Sequence, residues 1–73
     1  MWYFRSQIGV FWIAQHVSGK FELWFEEERL GEYPTSAAAA DAVSKQTIGW
    51  KKWDSIPEVS APVGINDWGR AFW

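Results

Sequence analysis

The chain contains no cysteine and a single histidine, His16. Disulfides and thiolate metal sites are therefore excluded, and zinc would lack the clustered ligands that it needs. No stretch approaches the about 18 uninterrupted apolar residues of a membrane-spanning helix. No basic region precedes the apolar Met1-Trp2-Tyr3-Phe4, and Arg5 and Gln7 interrupt the run, so no targeting segment is read. Basic excess is also missing, since seven Lys and Arg face nine Asp and Glu for a net charge of −2. Residues 1–33 hold Arg5, Lys20 and Arg29 against Glu22, Glu26, Glu27, Glu28 and Glu32, whereas residues 34–73 balance. An acidic N-terminal half opposes phosphate binding. A cysteine-free, soluble chain fits a reducing cytoplasm, the expected location, with no membrane association.

Aromatic residues are abundant. Seven Trp, five Phe and two Tyr occur in 73 residues, and each can bury roughly 150–250 Å². At this length a single core barely offsets the entropy of ordering the chain. Aromatic mass is the available substitute for a covalent staple, and self-association is the other way to hide such a surface. One domain spanning residues 1–73 is expected.

Strand alternation is clearest in Val10 to Val17 and Lys20 to Glu26, joined across Ser18-Gly19, a dipeptide suited to a tight hairpin turn. With Val17 opposite Lys20, His16 pairs with Phe21, Ala14 with Leu23 and Trp12 with Phe25 on the face taken as the core. The other face then carries Phe11, Ile13 and Trp24, rimmed by Gln15, Lys20, Glu22 and Glu26. Trp2 to Ser6 and Arg29 to Tyr33 complete a sheet spanning residues 2–33, with Gly31 marking a bulge or a close backbone approach.

Pro34 and Thr35 or Ser36 punctuate a helix start, and Ala37 to Ala42 are strong helix formers. The helix is expected over 35–47, ended by Gly49, with Ala39, Ala40, Val43 and Thr47 on one face. Small side chains there let it approach a crowded sheet. Beyond it, Trp50-Lys51-Lys52-Trp53 reads as an aromatic plug with its lysines in water. The tail over 50–73 is too apolar for a free linker and is expected to dock on the rest of the domain, with residues 57–73 either covering the second sheet face or leaving it open as a site.

Candidate chemistry is sparse. His16 beside Ser18 lacks a nucleophile motif and a third residue to orient the ring, so no catalytic residue is assigned and the protein is not expected to be an enzyme. Glu26-Glu27-Glu28 lacks the spaced oxygen ligands of a calcium loop, and no metal or cofactor is expected. Lys51 and Lys52 between two tryptophans are a small footprint for single-stranded nucleic acid. The second sheet face carries the site expectation, with Phe11, Ile13 and Trp24 at its centre and Lys20, Glu22 and Glu26 at its rim, because aromatic platforms with polar rims recur at binding hot spots.

The segment Arg29-Leu30-Gly31-Glu32-Tyr33-Pro34-Thr35-Ser36-Ala37-Ala38-Ala39-Ala40 resembles the third strand and helix start of plant ethylene-response-factor DNA-binding domains. Integrase arm-binding domains look similar in architecture, and the general look is also similar to small bacterial proteins. The resemblance implies an antiparallel sheet of three or four strands packed on one helix, an α+β fold, whose open face would enter the DNA major groove. Here Trp24 stands beside Glu22 and Glu26, and carboxylates repel phosphates. A non-catalytic module for a protein or peptide is therefore the first functional expectation, with duplex DNA binding through the same face as the second.

Overall fold

A computed structural model describes residues 1–71. Four antiparallel strands follow in chain order: β1 (Trp2–Arg5), β2 (Val10–Gln15), β3 (Phe21–Phe25) and β4 (Glu28–Tyr33). Helix α1 (Ser36–Lys45) comes next, then the short helix α2 (Lys51–Asp54), a 3-10 turn (Ile65–Asp67) and a fifth strand, β5 (Gly69–Arg70). The sheet order is β4-β3-β2-β1-β5. The α+β architecture of an antiparallel sheet on one main helix stands, and the tail adds an edge strand to it. Residues 72 and 73 of the expected tail lie outside the described residues.

The hairpin register differs from expectation by one residue. Phe11 pairs with Phe25, Trp12 with Trp24, Ile13 with Leu23, Ala14 with Glu22 and Gln15 with Phe21. The cause is the turn. His16 N–H donates to Lys20 O at 2.7 Å and Gly19 N–H to His16 O at 3.0 Å, so the loop is Val17-Ser18-Gly19, with Gly19 at φ 90°. A three-residue loop ending on a left-handed glycine is a common hairpin closure. The added loop residue slides β2 along β3 and inverts every β2 side chain. Phe21, Leu23 and Phe25 keep the helix-facing side, while Phe11 and Ile13 move into the core and Trp12 and Ala14 move out of it.

The inverted register is the one that buries more apolar surface. On the helix side the ladders read Trp2–Ile13–Leu23 and Phe4–Phe11–Phe25, apolar at each position. The alternative would place Trp12, Ala14 and His16 under the helix and leave Phe11 and Ile13 in water, so it would bury one large apolar side chain of β2 where the observed register buries two. At roughly 1.5–3 kcal/mol for each large aliphatic or aromatic side chain buried, the difference is decisive in a small domain.

α1 begins where Thr35 Oγ1 accepts from Ala38 N–H at 3.0 Å. It ends earlier than Gly49: Gln46 adopts φ 55° and ψ 48°, closing the helix in the left-handed region. Ala39, Ala40 and Val43 are wholly buried against the sheet, whereas Thr47 falls beyond the helix and is exposed. The next turn is pinned by polar groups. Asp54 carboxylate oxygens accept from the N–H groups of Ile48, Gly49 and Trp50, and Gln46 Nε2 donates to the carbonyls of Trp53 and Ile56, each at 2.8 Å.

That turn drives Trp53 into the centre of the domain. It is fully buried, its ring lies 4.8 Å from Phe11 at 69°, and its Nε1–H donates to Val43 O at 2.9 Å. Trp68 closes the other side, 5.6 Å from Phe4. The described tail therefore docks on the helix side of the sheet, with Ile56, Val59, Ala61 and Ile65 packed against the same core. The expectation that residues 57–73 cover the second face is corrected for residues 57–71: the larger apolar surface in need of cover lay around Phe4 and Phe11. Among the described residues no helix is long and apolar enough to cross a membrane.

Close helix-to-sheet packing at Ala39 sets a clear contrast with Ala37, which is exposed in the first turn. Ala39→Leu should overpack the interface and cost roughly 1–3 kcal/mol in chemical denaturation. Ala37→Leu should be close to neutral, and equal tolerance at both positions would contradict the observed helix face.

Candidate functional site

The face opposite α1 is built from side chains that alternate with the core positions. Its central row crosses four strands, Tyr3–Trp12–Trp24–Arg29, and the neighbouring row reads Ala14–Glu22–Glu32. Tyr3 and Trp12 rings are 5.7 Å apart, and Arg5 Cζ lies 5.8 Å from the Tyr3 ring centre. Gly69 lets Tyr3 lie flat over β5, since a Cβ there would meet the ring at 2.3 Å. A cleft of about 370 Å³ on this face is lined by Met1, Trp12, Ala14, Glu22, Trp24 and Glu26.

The structure divides the six expected site residues. Trp24 and Glu22 lie on the open face, Lys20 stands at its end, and Glu26 at the turn after β3 lines the cleft. Phe11 and Ile13 do not belong to it: both are wholly buried beneath α1, because the three-residue loop inverts β2. Tyr3, Trp12 and Arg29 take their place. Gly19 held the signal for this exchange, because a glycine closing a three-residue loop changes the parity of β2. Arg29 reaches Trp24's row through the register shift of β4 opposite Leu23 and Trp24, next to Gly31.

Charge on this face is organised around Arg29. Its Nε donates to Glu22 Oε2 at 2.7 Å and its Nη2 to Glu32 Oε2 at 2.9 Å, while Lys20 Nζ lies 4.0 Å from Glu32. The hydrogen bond from Arg29 holds the Glu22 carboxyl below the usual carboxylate range, and the Glu22 carboxylate in turn raises the Arg29 guanidinium above its ordinary value. Two acids thus neutralise the one arginine in the aromatic row.

Glu26 is held differently. It adopts φ 52°, its N–H donates to Val10 O and its Oε1 accepts from Val10 N–H, both at 2.9 Å. The pair of bonds compensates a backbone conformation that glycine ordinarily takes. His16 and Ser18 meet at the hairpin tip, where Ser18 N–H donates to His16 Nδ1 at 3.2 Å and Ser18 Oγ lies 3.0 Å away. These contacts serve the turn. Among the described residues no group of three or more His, Asp or Glu converges to hold a metal ion.

Glu22 should contribute to the acid limb of stability. Its folded-state value is depressed, so its contribution is present above the unfolded value and lost as pH falls through the folded one. Denaturant unfolding between about pH 6 and pH 2 should show Glu22→Gln flattening this limb. Identical slopes in both proteins would mean that the Glu22–Arg29 pair does not form in solution.

No protein-family model, curated protein or solved structure matches this chain, and its function is therefore argued from its own side chains.

Proposed function

We propose that the protein is a non-catalytic binding module that takes a protein or peptide segment on its open sheet face, within the cytoplasm. The observation that carries this reading is the cross-strand row Tyr3–Trp12–Trp24–Arg29 with Glu22 and Glu32 closed on the guanidinium. Cross-strand aromatic rows offer broad, stiff apolar area at low conformational cost, which is what recognition of a peptide backbone or apolar side chain uses. Arg5 and Arg70 stand beside Tyr3 and Trp12, whereas at the Trp24 end of the row Glu22, Glu26 and Glu32 outnumber Lys20 and Arg29, and Arg29 is already engaged. Phosphates would meet net repulsion there. Duplex DNA, the use implied by the ethylene-response-factor resemblance, therefore ranks second for this face.

NMR titration separates the two. With the labelled protein and a mixed-sequence peptide pool, the Trp24 indole N–H and the amides of β2 and β3 should shift, and Trp24→Ala should abolish those shifts while leaving unfolding unchanged. A mixed-sequence duplex should perturb the spectrum only at low salt. Submicromolar duplex binding near physiological salt, lost in Trp24→Ala, would overturn the ranking in favour of DNA, and the absence of any shift at Trp24 would remove the face as a site.

A further inference from the structure

On the helix side of the Glu26 turn lies a second and larger cleft, about 720 Å³, lined by Ile8, Phe25, Glu26, Glu27, Glu28, Trp50 and Lys52. Its inner wall is apolar and fixed. Phe25 is held between Phe11 at 5.1 Å and Trp50 at 4.8 Å, and Trp50 is anchored by its N–H donating to Asp54 at 3.1 Å. Gly9 allows the Phe25 ring this close to the preceding turn, because a Cβ on Gly9 would stand 2.4 Å from it. Ile8 is 42% exposed at the rim. An aromatic wall of this kind cannot collapse to fill the cleft without breaking the core contacts behind it.

The mouth has the opposite chemistry. Glu26, Glu27 and Glu28 are consecutive, exposed and unopposed by any cation within ion-pair distance among the described residues; the ion pairs formed by Arg29, Lys20 and Lys45 go to Glu22, Glu32 and Asp41. Lys52 is the single basic residue in the lining, leaving the cleft net negative. Glu26 is also the shared edge with the smaller cleft on the open face.

We propose that this cleft receives a lysine or arginine side chain of a partner polypeptide. Its aliphatic stem would lie along Phe25, Trp50 and Ile8, and its cationic head would reach Glu27 and Glu28 at the mouth. Such a side chain matches both halves of the site: the stem removes apolar wall from water, and the cation gains two carboxylates. It also relieves the mutual repulsion of three neighbouring glutamates. A bare divalent ion would satisfy the carboxylates and leave the aromatic wall unused.

The site does not depend on the Trp24 face, and its test reads different signals. Capped tripeptides Ala-Lys-Ala, Ala-Arg-Ala, Ala-Glu-Ala and Ala-Ala-Ala would be titrated into the labelled full chain. The Lys and Arg peptides should produce saturable shifts at the Trp50 indole N–H and the amides of residues 26–28, with Trp24→Ala leaving them unchanged. Glu27→Gln/Glu28→Gln, at exposed positions, should weaken this binding about fivefold, the effect of losing two partly exposed ion pairs. Equal shifts from the Glu or Ala peptides, undiminished binding by the double variant, or no saturable shift from either basic peptide would overturn the proposal. So would shifts that grow with protein concentration alone, which would assign the cleft to a second copy, or saturation by calcium with loss of peptide selectivity.

Discussion

Trp53 is the contact on which the domain depends. Its ring fills the space between α1 and the sheet against Phe11, and its indole N–H satisfies Val43 O, a carbonyl in the last turn of the helix. One side chain thus joins the sheet, the helix end and the tail. Its position requires the polar turn before it, in which Gln46 and Asp54 together satisfy three N–H groups and two carbonyls. In a chain without disulfides this combination performs the fastening that a covalent link would perform in another small domain.

Insertion of Trp53 and Trp68 also explains why the sheet has one committed face and one open face. The rings of Phe4, Phe11 and Phe25 turn toward the tail tryptophans, so the described tail is drawn to the helix side. Trp12 and Trp24 are left to the opposite side by strand alternation in the register that the three-residue loop sets. Their row is then shaped by its charged neighbours, since Glu22 and Glu32 fix Arg29 at its end.

The acidic turn after β3 stands between two chemically distinct hollows. Glu26 commits its backbone and one carboxylate oxygen to Val10, which ties β3 to the start of β2. Glu27 and Glu28 make no such tie. The contrast assigns structure to the first glutamate of the run and leaves the charge of the other two to the solvent side, where it also discourages pairing at the β4 edge.

Much of the fold was legible in sequence. Alternation located the strands, Thr35 and the alanines located the helix, and the buried Ala39, Ala40 and Val43 were readable from helical spacing. Trp24 and Glu22 were also read onto the open face. Sequence alternation, however, defines the two faces of each strand without deciding which face of one strand lies beside which face of the next. That choice rests on loop geometry and on the total apolar surface buried, and it moved Phe11 and Ile13 into the core and Trp12 out of it. Composition alone determined that a cysteine-free, aromatic-rich chain would use rings in place of a covalent staple, and Phe11, Trp53 and Trp68 are buried among aliphatic side chains. Tertiary packing decided which rings became core and which became surface, because only the assembled layers fix the partner that each face meets.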